Sequence, residues 1–215
     1  TKGEESDNYE AGVRFRRDHT GVDIVSFYSD YSNALRNCLV ANPCPGGVVD
    51  GTEQTGSKEV YGVEIGAFSE LYRQGAYVMP IRATYTYTDG EYTKASDTAS
   101  GVQKGDVLDY TPKHIGSVQL GVEYDSLWQS YLALSYVDGS CSTTTCERAT
   151  VNAEFLATQS VFSVDWSLTY SLNDFTQLYG KVENLFDQQR ITHRGADGAR
   201  GNSGRSGALG LRVSF

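Results

Sequence analysis

The sequence predicts an all-β fold: the wall of an antiparallel transmembrane β-barrel, about nine strands of it. Three observations carry that reading. Apolar and polar residues alternate with a period of two along most of the 215 residues. The connections between alternating stretches are short and long in strict turn, a layout typical of barrels that cross an outer membrane. The composition favours strands and turns, with 15 Tyr, 8 Phe and 23 Gly beside one Met and four Pro.

The strands are expected near 7–17, 22–34, 57–70, 76–88, 113–125, 128–137, 160–172, 175–186 and 205–215. In "NYEAGVRF", Tyr9, Ala11, Val13 and Phe15 oppose Glu10, Gly12, Arg14 and Arg16. In "VDIVSFYSDYS" both faces are half apolar, and the register stays open. "VYGVEIGAF" sets Tyr61, Val63, Ile65 and Ala67 against Gly62, Glu64 and Gly66. "YVMPIRATYTYT" sets Tyr77, Met79, Ile81, Ala83, Tyr85 and Tyr87 against Pro80, Arg82, Thr84 and Thr86. "HIGSVQLGVEY" sets Val118, Leu120, Val122 and Tyr124 against Ser117, Gln119, Gly121 and Glu123. The sharpest case is "SVFSVDWSLTYSL": Phe162, Val164, Trp166, Leu168, Tyr170 and Leu172 share one uncharged face. At a lipid midplane one Lys or Arg there would cost about 2–4 kcal/mol. The last strand, "GALGLRVSF", puts Leu209, Leu211, Val213 and Phe215 on one side.

Between these strands "RDHTG", "YRQG", "DSL" and "LND" are short. The stretches 35–56, 89–112, 138–159 and 187–204 are expected as long loops. Aromatic strand ends such as Tyr85, Tyr87 and Trp128 suit the interfacial girdles of a barrel. An odd strand number leaves free edges, which hydrocarbon does not tolerate. Either a further strand is hidden in the sequence, or the nine strands are part of a larger barrel.

No run of about 18 apolar residues exists, so no membrane-spanning helix is legible. A formal net charge of -9 gives no general nucleic-acid footprint. The four cysteines form two close pairs, Cys38/Cys44 and Cys141/Cys146, in segments rich in Pro, Gly, Ser or Thr. Their spacing does not fit a zinc ribbon or finger. Two local disulfides in an oxidising compartment are the reading; four free thiols are the alternative. No cofactor, metal cluster or catalytic set is legible. His19, His114 and His193 lie far apart, and the chain is expected not to be an enzyme.

"NYEAGVRF" (8–15), "VYGVEIG" (60–66), "YTPKHIG" (110–116), "VENLFDQQ" (182–189) and "GRSGALGLRVSF" (204–215) together resemble the C-terminal barrel of TonB-dependent outer-membrane receptors, of the ferric-siderophore or ferric-citrate type. The resemblance spans nearly the whole chain. It implies a place in the bacterial outer membrane, short periplasmic turns, long extracellular loops and a 22-stranded parent barrel. It implies that residues 1–215 are the C-terminal portion of that barrel, without the plug domain and the first strands. It implies TonB-energised uptake of an iron chelate, with the remaining barrel, the plug, TonB and the barrel-assembly machinery as partners, beside lipid and lipopolysaccharide. Leu209, Leu211, Val213 and Phe215 then resemble the signal read by that machinery. Many members carry Gly-Arg-Pro-Arg where this chain has Gly204-Arg205-Ser206-Gly207, so only the first Arg is retained. A passive porin or small structural barrel is the alternative.

One local basic cluster stands out on the acidic chain: Arg190, His193, Arg194, Arg200 and Arg205. Guanidinium binds carboxylates bidentately, which suits an anionic iron chelate. A solvated loop, or contact with lipopolysaccharide phosphates, is the plainer reading. The charges on the polar faces (Arg14, Arg16, Arg82, Glu64, Glu123, Asp165, Lys181 and Glu183) are expected to pair across the wall, with contact to a plug as the alternative.

Overall fold

The computed structural model describes residues 3–38, 44–95, 101–150, 153–195 and 198–214. Its strands are β1 (Glu5–Arg17), β2 (Thr20–Asn37), β3 (Thr52–Gln74), β4 (Tyr77–Ala95), β5 (His114–Tyr124), β6 (Trp128–Val137), β7 (Val161–Asn173), β8 (Thr176–Glu183), β9 (Ile191–Gly195), β10 (Gly198–Gly201) and β11 (Ser206–Val213). Three short 3-10 turns are the only helical pieces among the described residues. Nine strands form one antiparallel sheet in the order β1-β2-β3-β4-β5-β6-β7-β8-β11. The pair β9–β10 is a separate hairpin. β1 and β11 are the two edges of the main sheet.

The expected stretches are all present, and two of the expected loops are shorter than the alternation implied. β3 starts at Thr52 and β4 runs to Ala95, so much of 35–56 and the start of 89–112 is paired strand. The reason is the ladder itself: Gly56 pairs with Ala95 and Ser57 with Lys94, past a shift in register. Gly56 has φ +110, and a Cβ there would sit 1.7 Å from the Lys94 carbonyl oxygen. Only glycine allows that bulge. The third correction is at 187–204, where the hairpin β9–β10 replaces a plain loop.

Cross-strand partners share a face, so register links each strand's apolar side to the next. Phe15↔Val22, Val22↔Ala67, Ala67↔Ala83, Ala83↔Val118, Val118↔Leu134 and Leu134↔Val164 form one continuous row. Trp166 continues through Val182 to Gly207, and Leu168 through Gly180 to Leu209. Every apolar set read from the alternation thus falls on one side of a single sheet. The open register of the second strand is settled as well. Val22, Ile24, Ser26 and Tyr28 join the apolar face, while Asp23, Val25 and Phe27 join the polar one. Leu209, Leu211 and Val213 lie on the apolar face of β11; Phe215 lies outside the described residues.

Aromatic residues bound this apolar face at both ends. Toward the long loops stand Tyr9, Tyr28, Tyr61, Tyr87, Tyr136 and Phe162; toward the short turns stand Tyr77, Tyr124, Trp128 and Tyr170. Phe162 and Tyr170 are eight residues apart, about 27 Å along the strand. At the usual tilt of about 40° that spans about 21 Å of the roughly 25 Å apolar band of such barrels. Just beyond the long-loop aromatics the same face turns acidic. Asp7, Asp30, Glu59 and Glu91 are direct neighbours across four strands. Tyr28 donates to Glu59 at 2.8 Å.

The polar face carries its own aromatics in a particular way. Phe27, Phe68, Tyr131 and Tyr179 are each paired directly with a glycine: Gly62, Gly21, Gly121 and Gly210. At Gly121 a Cβ would lie 2.5 Å from the Tyr131 ring, so the ring lies flat over the bare backbone. Of the eight charges expected to pair, Arg14, Arg16, Lys181 and Glu183 do so in ion pairs among the described residues. Arg14 bonds Asp23 at 2.7 Å, and Arg16 joins the same carboxylate. Lys181 meets Glu183 at 2.6 Å, Tyr131 donates to Glu123, and Asp165 accepts from Ser163 at 3.1 Å. Arg82 and Glu64 form no ion pair among the described residues.

Trp166 and Ser167 are adjacent residues on opposite faces of a central strand. Trp166→Arg is expected to cost about 2–4 kcal/mol and to block stable insertion, whereas Ser167→Arg is tolerated. Heat-modifiable migration of the two variants in a full-length barrel checks this; equal behaviour would refute the assignment of faces.

Candidate functional site

The tightest packing is not in the sheet's midsection but beyond the apolar band, at the long-loop end. Ala34 and Thr55 have no exposed surface, and Cys38, Cys44, Glu53, Tyr92, Val102, Asp106 and Cys146 are buried with them. The overhanging parts of β2, β3 and β4 supply half of this core, and loops supply the rest. Arg36 of β2 pairs with Glu53 of β3 at 2.7 Å, with both side chains largely buried. Burial beside Thr55 raises the Tyr92 phenol above its ordinary pKa.

Two disulfides brace these loops, Cys38–Cys44 and Cys141–Cys146, as the local pairs predicted. The first closes the β2–β3 connection, where Cys38 N–H also donates to Gly51 at 2.9 Å. The second holds the turn that presents Arg148. That guanidinium grips Asp106 bidentately, Nε to Oδ1 at 2.6 Å and Nη2 to Oδ2 at 2.9 Å. It also donates to the Gly101 carbonyl at 2.6 Å. Asp106 accepts from the Gln103 N–H at 2.7 Å, and its own carbonyl accepts from Tyr92 N–H at 2.9 Å. Segment 101–113 is thereby clamped between β4 and the second disulfide loop. Lys113, at its end, reaches Asp89 at 3.2 Å, which raises the ammonium pKa.

The clamp leaves two cavities on the polar-face side. One, of about 570 Å³, is lined by Arg36, Asn37, Lys58, Tyr92, Asp109 and the hydroxyls of Thr143, Thr144 and Thr145, among others. Lys58 lies over the Tyr31 ring at 4.9 Å, a cation–π contact. The other, of about 390 Å³, runs beside the β9–β10 hairpin past Tyr110, Gln159, Thr192 and Asn202. Val137 and Val161 at its base belong to the polar face of β6 and β7.

The hairpin is anchored by the segment "ENLFDQQ". Asn184 is buried and left-handed, with φ 49, a conformation Asn accepts more readily than most residues. Its N–H donates to Asp165 at 2.8 Å, and its amide group donates to the carbonyls of Gln188 and Ser203 at 2.9 Å each. Its Oδ1 accepts from Gln188 N–H at 2.9 Å. Asp187 accepts from Arg205 N–H at 2.7 Å, and Gln188 Oε1 from Phe162 N–H at 2.8 Å. One short motif thus ties β7, β8 and the approach to β11 together.

The five residues of the basic cluster divide. His193 and Arg200 are cross-strand partners on the hairpin, and His193 stacks on Tyr110 at 5.1 Å. Arg194 is engaged in holding the hairpin: Nε donates to the Ala157 carbonyl at 2.6 Å and the guanidinium lies 5.7 Å over Phe155. The Tyr110 hydroxyl bonds the Arg194 backbone. Arg205 sits at the foot of β11, its guanidinium 3.4 Å from the Leu185 carbonyl. The Arg190 side chain is exposed and makes no bond among the described residues, although its backbone bonds Asn202. Sequence reasoning missed Asp106, Arg148, Arg36 and Glu53. Asp106 and Arg148 are 42 residues apart, and neither lies in a periodic stretch that would flag it.

Asp106 is buried and held by one arginine. Arg148→Ala is expected to cost about 3–5 kcal/mol locally, the typical result of stranding a buried carboxylate. Limited proteolysis should then cut within 101–113 while the sheet survives; an unchanged cleavage pattern would refute the clamp.

Comparison with known proteins places this geometry among others. A family model, TonB dependent receptor-like β-barrel, matches residues 2–185. No curated protein matches the chain. Among solved structures, the ferric-catecholate import receptor Fiu of E. coli K12 is 19% identical with a TM-score of 0.71, covering 100% of this chain and 28% of its own. The ferric yersiniabactin uptake receptor FyuA of Yersinia pestis is 17% identical at TM-score 0.72, covering 99% of this chain and 30% of its own. The siderophore receptor PiuA of Acinetobacter baumannii is 20% identical at TM-score 0.73, covering 97% and 28%. The chain therefore spans less than a third of the length of these similar structures.

Proposed function

The chain belongs to the TonB-dependent receptor β-barrel family, outer-membrane barrels that are receptors and transporters rather than enzymes, and from that premise we propose that it is a wall segment of a receptor for TonB-energised uptake of an anionic iron chelate. The polar face is then the lumen, the apolar face meets lipid, and the long-loop end is extracellular. The observation that carries the reading is the braced polar vestibule there. Two cavities open above the lumenal face, and cationic and hydroxyl side chains border them.

Within it, the β9–β10 hairpin is the proposed contact for the chelate. Arg190 offers an uncommitted guanidinium, His193 and Arg200 stand opposite one another, and Arg194 fixes the hairpin against 157. Carboxylates of a ferric citrate or acidic siderophore suit such donors. Arg205, bound at the β11 foot, orients that strand. In a full-length receptor, Arg190→Ala with Arg200→Ala is expected to weaken ferric citrate binding about tenfold, the loss of one charge-assisted hydrogen bond. Titration of the purified receptor measures this. Unchanged affinity would remove the hairpin from the site.

The strand count supports the reading as a segment. β1 is exposed along its whole length, and among the described residues neither β1 nor β11 has a second neighbour. Each unpaired backbone group in hydrocarbon costs several kcal/mol. We therefore propose that preceding barrel strands complete the wall and that a plug fills it. Residues 1–215 expressed alone are expected not to give a heat-modifiable monomer, whereas a longer chain with those strands does. A closed monomeric barrel with β1 bonded to β11 would favour the passive porin instead.

A further inference from the structure

The β9–β10 hairpin stands apart from the sheet it overhangs. Among the described residues β10 pairs only with β9, and β9 joins none of the nine sheet strands. It is held at its foot and again near its tip. At the foot, Gln159 N–H donates to the Ile191 carbonyl at 2.7 Å, and Ile191 N–H donates to Gln159 Oε1 at 3.0 Å. Near the tip it meets Tyr110. The Tyr110 hydroxyl donates to the Arg194 carbonyl and accepts from the Arg194 N–H at 3.2 Å, so one phenol occupies both backbone groups of one residue. The same ring stacks on His193, 5.1 Å away and 17° from parallel.

Tyr110 is itself fixed from the second disulfide loop. It is left-handed, with φ 50, a conformation that bulky residues keep only where their surroundings impose it. Its N–H donates to the Cys141 carbonyl at 2.7 Å. Earlier in the same segment, Asp106 is gripped by Arg148, which lies just past Cys146. The Cys141–Cys146 bond therefore ties the two grips on segment 106–110 to each other. Cys141 also forms a bridge with Ala157, whose carbonyl accepts from Arg194 Nε at 2.6 Å. Two routes thus leave Cys141, and both arrive at Arg194.

We propose that Tyr110 is the positioning residue of this hairpin: its hydroxyl transmits the geometry of the second disulfide loop to Arg194, and so sets where His193 and Arg200 stand. The proposal rests on the reading of the hairpin as the chelate contact. A two-stranded hairpin alone is marginal in water. Without its attachment near the tip it samples many poses, and ordering it on binding lowers affinity. The disulfide loop controls affinity in this way through the hairpin backbone.

The test uses full-length receptors, each variant first checked for heat-modifiable insertion. Hydrogen exchange of the 190–201 backbone and affinity for ferric citrate are then measured. Tyr110→Phe keeps the ring on His193 and removes the hydroxyl. It is expected to speed exchange and weaken binding, each about fivefold, the effect of one net hydrogen bond. Cys141→Ser with Cys146→Ser should do at least as much, and adding Tyr110→Phe to that pair should change little more, because the two act through one link. Cys38→Ser with Cys44→Ser, in the β2–β3 connection, should leave hairpin exchange as it was. Para-aminophenylalanine at position 110, whose amino group can donate and accept, should restore both readouts. Unchanged exchange in Tyr110→Phe, full additivity with the cysteine pair, or failure of that rescue would each overturn the positioning role. Faster exchange with unchanged affinity would uphold that role and remove the hairpin from the chelate site.

Discussion

An unpaired amide or carbonyl in hydrocarbon costs several kcal/mol, and that penalty organises this chain. The sheet answers it strand by strand, each strand pairing antiparallel with the next from β1 to β11. Because the ladder fixes who stands opposite whom, it also fixes which side chains share a face. A one-residue slip anywhere would throw Trp166, Leu120 or Ile65 into the lumen and Asp165 or Gln119 into lipid. Backbone pairing and side-chain sorting are therefore one constraint.

The same ladder is reused outside the lipid for another purpose. β3 runs about nine residues past Tyr61 toward its extracellular start, a reach of about 30 Å. With β2 and β4 it carries a buried cluster around Ala34, Thr55 and Tyr92. Once water is available again, a sheet of mixed polarity needs a cover, and the disulfide-braced loops supply it. Arg148 and Asp106 close that cover with a buried pair. Such a pair contributes little net stability but makes any other arrangement costly. The two disulfides and this pair fix how the loops stand around the cavities.

The polar face shows a second economy. Four of its aromatic rings lie on directly paired glycines, so bulky residues strengthen the wall without filling the lumen. On the opposite face one glycine, Gly116, has no ring over it and leaves a hollow. The contrast shows that small residues serve different ends on the two sides. On the polar face they lie against a neighbour's ring; on the apolar face Gly116 lines an open hollow.

The alternation of "SVFSVDWSLTYSL" and its counterparts by itself determined the strands, their two faces and the antiparallel wall, because a period of two has only one reading when one side is apolar throughout. The close spacing of Cys38/Cys44 and Cys141/Cys146 sufficed for the disulfides, since short loops limit partners. Sequence did not determine the register at Val22–Ser32, where either face is half apolar. That fell to the ladder with β3, which puts Phe27 over Gly62. Nor did it determine how far β3 and β4 run, because a bulge at Gly56 resets the alternation. The basic cluster was legible as composition, yet its division was not: Arg194 is drawn off by Ala157 and Phe155, which the chain reaches only by folding. The Arg148–Asp106 clamp and the hollow at Gly116 belong wholly to tertiary structure. Each depends on residues from different strands or loops meeting across space, and no local pattern records which distant backbone will stand beside them.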